Sequence, residues 1–205
     1  MIGVERVVTS GTFSLDGGTW EVDNNVWIVG DEDEVIVIDA AHDATAIANA
    51  VGGRPVKAIV CTHGHNDHID AALDLAGEVE SPVLLHPDDR MLWDVVHDRA
   101  PDADLHHGQV LTVAGASLTV VHTPGHSPGG VCLVGDGVVF SGDTLFHGGP
   151  GATGRSFSDF PTILHSIRSA LLSLPPETVV HTGHGDDTTI GAEALSYDDW
   201  VARGH

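Results

Sequence analysis

The segment His63-Gly64-His65-Asn66-Asp67-His68 places three imidazoles and a carboxylate within six positions. Imidazole nitrogens and carboxylate oxygens bind zinc, iron and other borderline divalent metals, and the mix of the two ligand types tunes which metal is held. The cluster directly follows an apolar run at 56–61, which reads as a strand. Four further runs end in the same way. Residues 117–122 lead into Thr123-Pro124-Gly125-His126-Ser127-Pro128-Gly129-Gly130, and residues 138–141 lead into Gly142-Asp143-Thr144. Residues 178–181 lead into Thr182-Gly183-His184-Gly185-Asp186, and residues 34–38 end in Asp39. The glycines among these candidates allow tight turns and close backbone approach. Strand ends that converge on one edge are where α/β proteins place chemistry.

The elements that must bring these segments together follow a repeated order. Apolar runs predict strands at 19–30, 34–39, 56–61, 82–86, 110–113, 117–122, 131–134, 138–141 and 178–181. Helical spacing predicts helices at 44–51, 67–76, 88–97, 161–174 and 192–202. Residues 98–108 read as polar and irregular, and 146–160 as a long glycine-rich loop. No linker or low-complexity segment divides the chain, so residues 1–205 read as one domain in which two sheets lie between outer helices.

Composition narrows the partners. Asp and Glu number 30 against 8 Lys and Arg, a formal charge of -22. Such a field repels phosphate backbones and anionic bilayers. It argues against nucleic acid and membrane, and leaves a small molecule as the expected partner. No run approaches the ~18 apolar residues of a membrane span. Residues 1–13 lack the basic and apolar regions of a signal peptide. The expectation is a cytoplasmic protein, monomeric or homodimeric. Cys61 and Cys132 sit in apolar runs without CxxC spacing and read as buried thiols.

Taken in order, the HGHNDH segment at 63–68, His126, Asp143 and His184 resemble the ligand motifs of the metallo-β-lactamase superfamily, over about residues 20–184. Thr123-Pro124-Gly125-His126-Ser127-Pro128-Gly129 and Ser141-Gly142-Asp143-Thr144-Leu145-Phe146 resemble its glyoxalase II-like branch. So does Gly154-Arg155-Ser156-Phe157-Ser158-Asp159-Phe160, with an insertion relative to the tighter GR-x-D-F form. The resemblance implies an α/β fold of the αββα sandwich type: two mixed β-sheets packed face to face, with helices on both outer faces. It also implies two divalent metal ions, zinc by default and iron or manganese as alternatives. His63, His65 and His126 would hold the first, Asp67, His68 and His184 the second, and Asp143 would bridge them. The ligand chemistry agrees, because seven such groups suit two ions with open positions, whereas a closed structural zinc needs only about four. Metals roughly 3.5–4 Å apart hold a bridging hydroxide, since coordination lowers the pKa of water from roughly 15.7 to about 7. Asp67, near a predicted helix N-terminus that favours its ionised form, is the catalytic candidate to orient that hydroxide.

The reaction so implied is hydrolysis of a thioester or related ester-type bond, such as that of an acylated low-molecular-weight thiol. The tail after His184 has room for one helix, less than the segment with which glyoxalase II binds glutathione, so the thiol carrier stays open. Three alternatives share the motifs. One is a mononuclear-iron oxygenase resembling persulfide dioxygenases, with His63, His126 and Asp143 as its triad. Another is a lactonase or other hydrolase of this superfamily, although the only tyrosine, Tyr197, lies beyond the last ligand. The last is a non-catalytic metal-binding protein. His147 and Arg155, in the glycine-rich loop, are candidate substrate contacts, Arg155 through a substrate carboxylate. Asp39 is a candidate to support a ligand from behind. His42, His86, His97, His106, His107, His122, His165, His181 and His205 read as structural or solvated.

Overall fold

In the computed structural model, which describes residues 3–204, Asp16-Gly17 turns the chain back on itself. Both residues take left-handed φ values, 53° and 77°, the pair that a two-residue hairpin with right-handed strand twist requires. The turn joins β1 (Gly3–Leu15) to β2 (Gly18–Gly30), paired from Leu15↔Gly18 to Gly3↔Gly30. Apolar patterning does not reveal β1, because this edge strand is largely solvent-facing; its sequence signal is the Asp-Gly turn. His205 lies outside the described residues.

The remaining elements follow in chain order. First come β3 (Val35–Ile38), α1 (Ala44–Val51), β4 (Val56–Val60), α2 (Asn66–Ile69), α3 (Ala72–Val79) and β5 (Val83–Leu85). A short 3-10 turn (Pro87–Asp89), α4 (Arg90–Val96), β6 (Ala103–Asp104), β7 (Val110–Val113), β8 (Ala116–His122), β9 (Val131–Val134) and β10 (Val138–Gly142) continue the chain. It ends with β11 (Leu145–Phe146), β12 (Gly149–Pro150), α5 (Phe160–Ser166) running on as a π-helical turn (Ile167–Leu171), β13 (Val179–Thr182), β14 (Thr188–Thr189), α6 (Ile190–Ala194) and α7 (Tyr197–Arg203).

One six-stranded sheet runs β1 to β6 in sequence order, and the other has the order β14-β13-β10-β9-β8-β7. Both are mixed: β3 to β6 are parallel neighbours in the first, and β10 and β13 in the second. Strand alternation then sorts the apolar side chains into layers. Ile28, Val37, Ile59 and Trp93 pack together on the outer face of the first sheet, with Ile47 and Leu75 from α1 and α3. Trp27, Ile36, Ile38 and Val60 point the other way and meet Val120, Leu133 and Phe140 between the sheets. Cys132, Val139 and Val180 face Ile163, Ile167 and Trp200 on the outer face of the second sheet. The order is helix, sheet, sheet, helix. Cys61 and Cys132 are free, buried and in different layers. Among the described residues no helix is long and apolar enough to cross a membrane.

Several predicted elements are refined. The helix expected at 67–76 breaks between α2 and α3 because the Ala71 amide donates to the Ala40 carbonyl at 3.2 Å instead of to the preceding turn. The helix expected at 192–202 is two, α6 and α7, so the tail after His184 carries more than one. Residues 98–108 hold β6, and the glycine-rich loop folds into the β11–β12 ribbon.

Phe140 is fully buried between the sheets, with its ring 6.1 Å from that of Trp27. Phe140→Ala is expected to lower the unfolding free energy by about 3–5 kcal/mol in urea titration; a loss under about 1 kcal/mol would mean that the layer re-closes over the void.

Candidate metal centre

Five strand ends reach the same edge. Asp39 follows β3, Thr62 and His63 follow β4, His126 lies in the loop after β8, Asp143 follows β10 and His184 lies just after β13. α2 then carries Asp67 and His68 back toward that edge. All seven ligand candidates meet there, with His63, His65, Asp67 and His68 buried and His126, Asp143 and His184 half-buried.

The distances fall into groups. His65 Nδ1 is 3.0 Å from His63 Nε2 and 3.0 Å from His126 Nε2. His184 Nε2 is 3.2 Å from His68 Nε2 and 3.3 Å from Asp67 Oδ2. Asp143 stands between, with Oδ1 3.2 Å from His68 Nε2 and Oδ2 3.5 Å from both His126 Nε2 and His184 Nε2. These atoms form sets of three with metal-binding spacing: His63, His65 and His126; Asp67, His68 and His184; and His63, His68 and Asp143.

What lies behind four of the rings decides which nitrogen faces inward; His65, with no partner on Nε2, turns Nδ1 to the cluster. His68 Nδ1 is 3.0 Å from Asp39 Oδ2, His126 Nδ1 is 2.8 Å from the Ala152 carbonyl, and His184 Nδ1 is 2.7 Å from the Asp23 carbonyl. Those oxygens only accept, so each Nδ1 carries the proton and each Nε2 presents its lone pair to the cluster. His63 follows the same rule through one more link. Thr62 Oγ1 donates to Asp39 Oδ2 at 2.8 Å and so accepts from His63 Nδ1 at 3.1 Å. Asp39 also takes the Thr62 amide at 2.7 Å and holds a left-handed φ of 58°. One carboxylate therefore orients two of the rings.

Buried polar atoms without partners support the same reading. Asp67 Oδ1 has no hydrogen-bond partner, and neither does Asp143 Oδ1, although it lies 3.2 Å from His68 Nε2; His65 Nε2 is unpartnered too, but it is on the far side of a ring whose Nδ1 faces the cluster. Such atoms are costly unless a cation or ligand meets them. A Cβ at Gly183 would collide with Asp143 Oδ1, so only glycine fits beside that carboxylate.

Electrostatics splits the cluster. Burial, reinforced by the neighbouring histidines, holds His63 well below the usual imidazole range and His65 down to about 3. On the other side burial opposes the charge, but Asp143 and Asp67 outweigh it, lifting His68 well up and His184 to about 10. Burial likewise opposes ionisation of Asp143 and Asp67, yet His68 and His184 hold both carboxyls below their ordinary range. A divalent cation competes with the protons of this acidic half for the same lone pairs.

Three groups are placed by the tertiary structure alone. Asn24, buried, donates to Asp67 Oδ2 at 3.2 Å, and its Oδ1 lies 2.9 Å from His42 Nε2; His42 in turn pairs with Asp70 at 2.9 Å. Asp89, also buried, takes the Gly64 amide at 2.7 Å, the Gly129 amide at 2.6 Å and the Ser127 hydroxyl at 2.7 Å. It ties the loop carrying His63 and His65 to the loop carrying His126. Burial raises its pKa even against those hydrogen bonds. The β1–β2 hairpin leans over the site, held by the Asn66 side chain to Ser14 N and Thr12 O at 2.8 and 2.6 Å. The Ser156 amide donates to Asp16 at 3.0 Å near the hairpin tip.

A cavity of about 320 Å³ opens over the cluster, walled by Phe13, Trp20, Val22 and Phe146 with Arg155 at its rim. The Arg155 guanidinium stacks on Trp20 at 3.9 Å. His147 is exposed in the turn between β11 and β12 and does not line this cavity, whereas Phe146, at the end of β11, does. Tyr197 is remote, its hydroxyl on the Leu164 carbonyl at 3.2 Å.

Residues 19–184 match the family described as the metallo-beta-lactamase superfamily. An uncharacterized protein of Aquifex aeolicus is 35% identical over 185 residues, 82% of this chain and 88% of its own length. A hydroxyacylglutathione hydrolase of Xanthomonas campestris is 35% identical over 181 residues, 86% of this chain but 66% of its own length. The hydroxyacylglutathione hydrolase GloC of Haemophilus influenzae is 30% identical over 184 residues, 81% of this chain and 87% of its own. The BLEG-1 B3 metallo-beta-lactamase superposes with a TM-score of 0.78 at 30% identity, covering 90% of this chain and 95% of that one. TTHA1623 in a di-iron-bound form superposes with a TM-score of 0.75 at 34% identity, covering 84% and 93%.

Removing the Asp89 carboxylate frees three donors and unties the two loops. Asp89→Ala is expected to weaken zinc binding about 10- to 100-fold in direct titration. Unchanged affinity in a folded variant would show that the loops hold their places without it.

Proposed function

The chain belongs to the metallo-β-lactamase superfamily, and within it we propose a dinuclear metallohydrolase that cleaves a small-molecule thioester. The observation that carries this reading is the set of four imidazoles whose Nδ1 atoms are fixed on protein oxygens, with their Nε2 lone pairs turned toward two carboxylates. A structural site would close around one ion with about four ligands; seven groups exceed that need. His63, His65 and His126 would hold one ion, Asp67, His68 and His184 the other, and Asp143 would be shared. Two bound divalent metals supply a water of lowered pKa and Lewis-acid stabilisation of a carbonyl oxygen.

The chain's own groups do the rest. Asn24 fixes Asp67 through Oδ2, which leaves the buried, unpartnered Oδ1 to accept a proton from the nucleophilic water. Phe13, Trp20 and Phe146 exclude water from the acyl group, and Arg155 pairs with a carboxylate on the thiol carrier. A thiolate leaves readily, since the pKa of a free thiol is about 8.5, so no dedicated acid is required on the leaving side. The names of the Xanthomonas and Haemophilus relatives support thioester hydrolysis, and the di-iron form of TTHA1623 supports iron beside zinc as a loaded metal.

Chelation is expected to abolish release of thiol from an S-hydroxyacyl thioester, and zinc or iron(II) to restore it. Metal-replete protein inert toward a panel of thioesters, but active on a β-lactam or consuming oxygen with a persulfide, would overturn the proposal. Arg155→Ala is expected to raise KM about 10-fold for a carboxylated thioester, with kcat within about 2-fold; steady-state kinetics with carboxylated and uncharged acyl thiols checks it, and an equal loss on both would remove the carboxylate contact.

A further inference from the structure

A second group of ligand-type side chains lies apart from the central cluster: His86, Asp88 and His122. His86 follows β5, Asp88 sits in the 3-10 turn, and His122 closes β8. The two imidazoles stack with centroids 4.2 Å apart and planes 11° from parallel. One ligand atom from each of the three residues lies within 4.8 Å of the others. His86 is buried, His122 half-buried and Asp88 exposed, so the group opens to solvent on one side.

Their hydrogen bonds leave lone pairs available. His122 Nε2 is 2.8 Å from the Pro128 carbonyl, which only accepts, so the proton of the neutral ring is on Nε2 and Nδ1 is bare. His86 Nδ1 accepts a long 3.3 Å bond from the Asp88 amide and lies 3.8 Å from Asp88 Oδ2, so its lone pair is also on Nδ1 and weakly used. Burial, and then the neighbouring His122, lower the pKa of His86 and keep the ring neutral.

We propose that His86, Asp88 and His122 form a separate site for one borderline divalent cation (zinc, nickel or copper), with solvent completing its shell. Two imidazole nitrogens and one carboxylate oxygen suit those ions and not magnesium or calcium, which prefer all-oxygen shells. The site is weaker than the central one. In the three-histidine set of the centre the rings cross at 80–89°, so their lone pairs converge, whereas the near-parallel rings of His86 and His122 must rotate to do so. Its placement gives it a consequence. Asp88 precedes Asp89, and His122 holds Pro128, the neighbour of Gly129, so a cation here links both sides of the Asp89 clamp.

The test is calorimetric titration of zinc, and separately nickel, into protein whose central cluster is already saturated with zinc. Wild type is expected to take up one additional equivalent. Asp88→Asn, a change at an exposed side chain, should weaken that step about 10-fold, and His86→Gln combined with it should abolish the step while the stronger central sites fill as before. The same cation should raise the urea midpoint of wild type and not of the double variant, with magnesium without effect in either. An equal number of equivalents in wild type and double variant, or none beyond the centre in wild type, would overturn the proposal.

Discussion

The centre depends on hydrogen bonds made by the far side of four of its five imidazoles. A neutral histidine offers one lone pair, and the acceptor on Nδ1 decides that it is offered by Nε2. Here those acceptors come from four different places: Asp39 at the end of β3, Thr62 after β4, the Ala152 carbonyl and the Asp23 carbonyl in β2. The contact from His184 to Asp23 spans the two sheets, so they must abut at one edge before that ring is aimed, and the Trp27, Ile38, Leu133 and Phe140 layer supplies the packing that sets their separation.

Crowding seven such groups is unfavourable for the bare polypeptide. Imidazole nitrogens approach to 3.0–3.2 Å, and polar atoms of Asp67 and His65 are buried without partners. The scaffold holds this arrangement with devices that cost little elsewhere. Asp89 gathers two loops on one carboxylate, Asp39 accepts a strained φ to orient two rings, and Gly183 leaves room for Asp143. Strain and unsatisfied polarity concentrated where function lies are the expected signature of a site kept for chemistry rather than for stability.

Much of this was legible in the chain. His63, His65, Asp67, His68, His126, Asp143 and His184 were readable as candidate ligands because ligand chemistry depends on residue type, and their positions after apolar runs predicted the one shared edge at which they meet. The layers were readable too, since Val35-Ile36-Val37-Ile38 has nowhere to go but alternately to two apolar faces. The exposed β1 was not, because a solvent-facing edge strand needs no apolar stripe.

By itself, then, the sequence pointed to metal-type chemistry, a set of candidate ligands and the layered class, through side-chain type, local period and a motif order that resembles a known family. Only the tertiary structure decided which partners orient those ligands and what walls the cavity. Asn24 reaches Asp67 across 43 positions, and Asp89 reaches Gly129 across 40, spans over which no local pattern carries information. Phe146 rather than His147 lines the cavity because the β11–β12 ribbon leaves His147 in its exposed turn, a placement that exists only after the chain has folded.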